Sequence, residues 1–292
     1  MGSVLRISPE QGMSCDQLTP RIIGRAATMA LYDELALSPK PGLVTLQDAG
    51  SHKDMDAHTF MRSLFSLRTY FVDIAALGAR SADFEELERR GLAAEKRMLC
   101  ATGGINTHRG AIFTLGLLCA AAGALTQYKR PLTAELLRNT LLEGWGESLK
   151  KRALRPSVLP GGKAAHRYGL RSASQEASHG FPVLFETALP VMQGGLAHRM
   201  SPQHILLDTL FHVLAVMDDS NLAHRGGLEG LEFARKSARD FLSAGGASVP
   251  GGIEAAQQIS KNFVARRLSP GGAADTLAAA CLIMRLQSAK IH

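Results

Sequence analysis

Phe60, Leu64, Leu67, Phe71, Ile74 and Leu77 fall three or four residues apart, the spacing of one face of an α-helix. Asp56 stands where such a helix takes its N-cap, so a helix is expected from there through Ala79. Composition points the same way. Ala and Leu number 41 each, against 21 for Val and Ile together, and β-branched residues are the usual strand material. With 292 residues, 46% of them apolar, the chain can bury a large core, which excludes wholesale disorder.

Thr19-Pro20 has the form of an N-cap and first helical residue, opening a helix to about Leu37 that Ser38-Pro39-Lys40-Pro41-Gly42 must end. Further helices are expected at 83–100, 107–125, 133–153, 182–198, 202–217, 227–243, 252–267 and 271–287. Pro-Gly-Gly at 160, 250 and 270 is expected as punctuation between elements; the unequal gaps exclude a repeat array. The 29 Gly and 12 Pro are too many for a plain bundle and imply many short, functional connections. The expectation is an all-α protein: a loose leader over 1–18, then a single globular multi-helix domain over 19–292 whose glycine-rich loops form a nucleotide site.

The longest nearly apolar run, Ala111 to Leu125, is 15 residues, too short to span a bilayer, and the N-terminus has no apolar signal region. Cys15, Cys100, Cys119 and Cys281 show no metal or redox spacing, which suits reduced thiols in a cytoplasmic protein. The net charge of +7 implies an anionic partner: a phosphorylated small molecule, nucleic acid or a membrane surface. Aromatic residues, at 5%, are few for a base-stacking reader of single strands.

Four segments concentrate residues able to do chemistry. The stiff loop from Ser38 to Asp56 presents Lys40, Asp48, His52, Lys53 and Asp54; Lys and His donate to phosphate, and closely spaced carboxylates suit hydrated Mg²⁺. Gly103-Gly104-Ile105-Asn106-Thr107-His108-Arg109-Gly110 lets backbone approach a ligand at a helix start, with Asn106, Thr107 and Arg109 as donors, though it is not a Walker loop. His204, Asp208, His212 and Asp219 form a polar stripe on an otherwise apolar helix, with Asp208 and His212 about 40° apart and Asp219 about 20° from both if that helix extends so far. The following Asp218-Asp219-Ser220-Asn221 to Arg225-Gly226-Gly227 suits a metal–phosphate site. Ser269-Pro270-Gly271-Gly272 offers an N-cap and exposed N–H groups ahead of Asp275, a carboxylate that would need a cation or donors inside its Ala/Leu-rich helix. Each segment also allows a plain structural role: a solvated loop, a glycine-rich helix start, a paired core Asp–His, a capped terminal helix.

Together these segments resemble the triphosphoribosyl-dephospho-coenzyme A synthase family. The matching text is SPKPGLVTLQDAGSHKDMD at 38–56, GGINTHRGAIFTLGLL at 103–118, YGLRSASQEASHGFP at 168–182, DDSNLAHRGG at 218–227 and SPGGAAD at 269–275, in the family's order. The resemblance implies an all-α cytoplasmic transferase that joins ATP to 3′-dephospho-CoA and expels adenine. Its product would be the prosthetic-group precursor for an acyl-carrier protein of malonate decarboxylase or citrate lyase. Thr45 and Asp48 replace the Asp and Asn of the citrate-lyase branch, which implies the malonate decarboxylase branch. Ser172-Ala173-Ser174 departs from the family's Gly-Ala-Arg pattern, so no phosphate role is assigned there.

Such chemistry needs a base for the incoming hydroxyl, carboxylates beside a cationic ribose, and cations for a triphosphate. Asp54, Asp219 and Asp275 form the expected catalytic and metal-binding pool, with Mg²⁺ as cofactor. Lys40, His52, Asn106, Thr107, Arg109, Arg225, Ser269, Gly271 and Gly272 are the expected phosphate and sugar contacts. Partners are ATP and 3′-dephospho-CoA, with no membrane and room for a homodimer. Two rivals stand beside this: another all-α, Mg²⁺-dependent enzyme acting on nucleotides or ADP-ribose-like compounds, and a basic helical module for nucleic acid. The second is disfavoured because carboxylates recur in the glycine-rich motifs, where they would repel a phosphate backbone.

Overall fold

The computed structural model describes residues 18–127 and 132–288. Within these residues it holds twelve α-helices and no strand, the expected all-α class. The loose leader expected over 1–18, with Cys15, lies outside the described residues except for Leu18. Helix α1 (Pro20–Ala36) starts at the Thr19 cap, whose hydroxyl accepts from the Ile22 N–H at 3.3 Å. Helix α2 (Ala57–Ala79) starts at Asp56, whose carboxylate accepts from the Thr59 N–H at 2.9 Å.

Helices α3 (Phe84–Thr102) and α4 (Arg109–Gln127) follow, and α2 packs against α1, α3 and α4. Glycines set the closest of these approaches. A methyl group on Gly78 would overlap the Ala120 carbonyl, and one on Gly123 the Ala75 carbonyl, so α2 and α4 touch backbone to backbone. Helix α4 is longer than its apolar run suggested. Among the described residues it is the one helix long and apolar enough to cross a membrane, but 78% of that window is buried inside the protein, as in a central core helix. One continuous hydrophobic cluster runs from Leu18 to Leu286.

The second half comprises α5 (Ala134–Ala153), α6 (Pro160–Tyr168), α7 (Ala173–Ser178), α8 (Leu189–Ala197), α9 (Pro202–Val216), α10 (Ser220–Ser243), α11 (Gly252–Ala265) and α12 (Gly271–Ser288). The helix expected over 182–198 is present, but residues Val183–Ala188 are wound as a π-helix ahead of α8. Pro190 supplies a reason: it has no N–H for the carbonyl four residues back, so the ladder widens there.

Three expectations are corrected. Helices α6 and α7 were not foreseen, because Pro-Gly-Gly at 160 opens a helix instead of merely separating two. Helix α10 begins at Ser220, not 227, and Gly227 (φ 65°, ψ −165°) breaks its course. Finally, α9 stops at Val216, so Asp219 leaves the stripe of His204, Asp208 and His212 and becomes the N-cap of α10. Asp208 turns instead to the short 3₁₀ turn Gly246–Ser248 and accepts the Ala247 N–H at 2.8 Å.

Candidate active site

The N-terminal ends of α4, α10 and α12 meet the C-terminal end of α1 around a cavity of about 850 Å³. Its floor carries Glu34, Asp219 and Asp275, and Arg109, Arg152, Arg155, Arg171 and Arg225 stand along its walls and rim. Leu43, Phe60, Phe113, Phe181 and Leu184 supply apolar wall. A space with buried carboxylates at one level and guanidinium groups around it can hold a polyanion and, beside it, a centre that becomes positive.

Asp219 is 1% exposed. Its Oδ1 accepts from the N–H groups of Asn221 (2.9 Å) and Leu222 (3.2 Å), and its Oδ2 from Ala273 (3.0 Å). The Gly272 N–H adds a fourth bond. Four donors match the roughly four lone-pair sites of a carboxylate, so a cation could be reached only by giving one up. Burial still pushes the Asp219 pKa above its ordinary value, against these bonds. Of the Gly271-Gly272 start expected to offer free N–H groups, Gly271 donates to the Ser269 carbonyl at 3.0 Å and Gly272 to Asp219.

Asp275 keeps more of its capacity. One backbone N–H, that of Ala111 in the first turn of α4, bonds it. Gly110 allows this approach, since a methyl there would overlap the carboxylate. Burial first, then the charges of Glu34 and Asp219, hold the Asp275 pKa well above the usual carboxylate range. Lys40 lies beneath this cluster, 1% exposed, and donates to the Glu34 carbonyl (2.6 Å) and to Glu34 Oε1 (2.5 Å). It was expected as a phosphate contact. In the structure its charge is spent on Glu34, a carboxylate absent from the expected pool.

At the start of α4, the Asn106 side chain accepts the Arg109 N–H at 3.2 Å, and Arg109 Nε pairs with Glu95. Both keep further donors for a ligand. His108 is 4% exposed; its Nδ1 meets Ser63 Oγ at 2.6 Å, and Phe60 packs against its ring at 4.8 Å between centroids. Burial, with the Lys40 charge second, lowers its pKa to about 3, so the imidazole is neutral. His108 Nε2 and Thr107 Oγ1 are both buried and unpartnered.

Elsewhere on the wall, His52 links Arg225 to Ser269. Arg225 Nη2 lies 3.1 Å from His52 Nδ1, and His52 Nε2 lies 2.9 Å from Ser269 Oγ. A guanidinium can only donate, so Nδ1 accepts and Nε2–H donates to the serine. The expected N-cap role of Ser269 is not what its hydroxyl does. Burial, then Arg225, keeps the His52 pKa low. Asp54 is displaced from the cavity: its side chain is 63% exposed and lies 3.8 Å from His52 Nδ1, not beside Asp219 and Asp275.

The structure thus gathers Asp219, Asp275, Asn106, Thr107, Arg109, His52, Arg225, Ser269, Gly271 and Gly272 around one space. It leaves Asp54 and Lys40 off the wall and adds Glu34, His108 and the Arg152–Arg155 rim. His108 lay inside a motif already singled out, flanked by two chosen residues. Glu34 carried no signal, being one acidic residue on a long helix.

The model of the family described as "CitG: ATP:dephospho-CoA triphosphoribosyl transferase" matches residues 20–291. A Klebsiella pneumoniae protein named 2-(5''-triphosphoribosyl)-3'-dephosphocoenzyme-A synthase is 37% identical over 297 residues, covering 95% of each chain. Proteins named as probable synthases of the same kind, from Salmonella gallinarum and Salmonella typhimurium, are each 37% identical over 277 residues, covering 90% of each chain. No solved structure matches.

Proposed function

Since this chain belongs to the family of ATP:dephospho-CoA triphosphoribosyl transferases, which release adenine, we propose that the 850 Å³ cavity is where that transfer occurs. The observation that carries this is the convergence of three helix N-termini, three carboxylates and a guanidinium rim on one space. The triphosphate of ATP lies along Arg109 and the arginine rim. Its ribose C1′ sits against the carboxylate floor, where the charge that builds as the N-glycosidic bond lengthens is stabilised. The 2′-hydroxyl of 3′-dephospho-CoA enters from the rim and attacks C1′.

Asp275 takes the hydroxyl proton. Among the described residues its one donor is the Ala111 N–H, and a raised pKa suits a base that must hold a proton near neutrality. Asp219 acts through its charge and by fixing the starts of α10 and α12. Mg²⁺ fits as a substrate-borne ion. No three His, Cys, Asp or Glu side chains among the described residues group closely enough to hold a metal alone. Glu34 Oε2 is the carboxylate oxygen that would join phosphate oxygens around it, as Mg²⁺ commonly binds. The ion would offset the negative charge that ATP brings to an already acidic floor.

The malonate decarboxylase branch is supported by Thr45 and Asp48. The Thr45 hydroxyl donates to Asp48 Oδ2 at 3.1 Å and accepts the Asp48 N–H at 3.0 Å, so the two residues form one bonded unit. Loss of growth on malonate, not citrate, in a strain lacking this chain checks the branch. Incubation with ATP, Mg²⁺ and 3′-dephospho-CoA, followed by mass spectrometry, checks the reaction. Equal amounts of coupled product and free adenine are expected; adenine formed without the acceptor would overturn it.

A further inference from the structure

We propose that His108 Nε2–H donates a hydrogen bond to a ring nitrogen of the adenine of ATP as the glycosidic bond breaks, so that His108 is a catalytic residue of the adenine-releasing step. The inference rests on the cavity being the ATP site.

The tautomer follows from the neighbours. Ser63 is fully buried, and His108 Nδ1 is the one partner of its hydroxyl among the described residues. A buried hydroxyl hydrogen left without an acceptor is costly, so it points at Nδ1. The ring proton is then on Nε2, a buried atom without a partner on a residue that lines the cavity. A ligand that reaches this atom supplies the partner it lacks.

The surroundings select an uncharged partner. The first turn of α4 would ordinarily attract an anion, but the Asp275 carboxylate already takes the Ala111 N–H. Glu34 lies close enough for its charge to act on Asp275, and the Lys40 charge is neutralised by Glu34. A phosphate beside His108 would meet these carboxylates and would have to bring its own cation. A neutral heterocycle meets no such penalty, and the Phe60 ring against the imidazole provides apolar wall. The carboxylates also mark where C1′ stands, and adenine is one bond from C1′.

The donor gains strength when it is needed. As the N9–C1′ bond breaks, its electron pair moves into the purine ring, whose nitrogens become better acceptors. The neutral imidazole stabilises that charge and keeps its own proton. The acceptor oxygen bonds to C1′, and the proton it loses balances the one adenine gains on release.

The test uses the full chain with ATP, Mg²⁺ and 3′-dephospho-CoA, reading adenine release by chromatography and ATP affinity by calorimetry. His108→Ala lowers kcat by about 100-fold, typical for loss of one donor to developing charge, with ATP Kd within about threefold. His108→Gln, whose neutral amide reaches towards the Nε2 position, recovers at least about tenfold of that loss. An unchanged kcat in His108→Ala overturns the proposal. So does a loss of ATP affinity large enough to explain the whole fall in kcat/KM. Should His108→Ala fail to fold, His108→Gln and His108→Asn decide: the shorter amide cannot reach the base, so equal rates overturn the assignment. Wild-type protein that releases no adenine would instead remove the ATP-site reading itself, a result separate from any ranking of the variants.

Discussion

Asp219 Oδ2 accepts the Ala273 N–H at 3.0 Å across 54 residues of sequence, while Oδ1 caps the helix that Asp219 itself begins. One buried carboxylate therefore fixes two helix starts against each other. Asp219→Ala leaves several buried N–H groups without acceptors. At roughly 1 kcal/mol per lost cap and 1–3 kcal/mol per orphaned buried group, a loss of about 2–4 kcal/mol is expected. Urea denaturation checks it; a midpoint equal to wild type would show that water replaces the carboxylate without cost.

Asp275→Asn is expected to behave in the opposite way. Activity falls by about 100-fold or more, because the base is gone. Stability at neutral pH holds or rises, since burial and the charges of Glu34 and Asp219 disfavour the ionised form. A folded pKa raised above the unfolded one gives stability that is present at low pH and lost as pH rises through the folded value. The variant's advantage over wild type should therefore shrink as pH falls towards the ordinary carboxylate range. A gap between the two urea midpoints that widens on acidification would refute this sign.

Arg109→Ala tests the wall of the cavity. Loss of a charge-assisted donor to phosphate is expected to weaken ATP binding about tenfold in calorimetry, with the melting temperature nearly unchanged. The freed Glu95 is partly exposed, so it rehydrates at little cost. Unaltered ATP affinity would take Arg109 out of the site.

Gly123→Ala probes the α2–α4 contact. The new methyl would meet the Ala75 carbonyl, which belongs to backbone and cannot swing aside. Overpacking of this kind costs about 1–3 kcal/mol or more, and the melting temperature should fall accordingly. Gly194→Ala is the control: a methyl there meets nothing within 4 Å, and its helix should be unharmed.

Much of the helical frame was legible because it depends on local chemistry. Thr19, Asp56 and Asp83 cap helices through their own side chains, and the period of α2 is written in six apolar residues. The misses are of another kind. Helix α7 has six residues, too few to show a period, and is set by a Ser172–Gln175 capping box. Asp219 and Ser269 looked like local caps or ligands, but their partners lie 54 and 217 residues away. Lys40 looked free because Glu34, six residues earlier, sits on the preceding helix and not in its loop. Sequence shows which groups need partners; only packing decides which partner each one meets.

The close fit of α2 and α4 also has a practical side. It holds α4, whose first turns line the cavity, in the centre of the protein, whereas the stretch on the other side is far more open, with Val158 81% exposed. Floor and rim can thus be varied independently. A library confined to 154–162 is the place to look for catalysts that attach the triphosphoribosyl group to alcohols other than the natural acceptor, while the groups at the floor stay as they are.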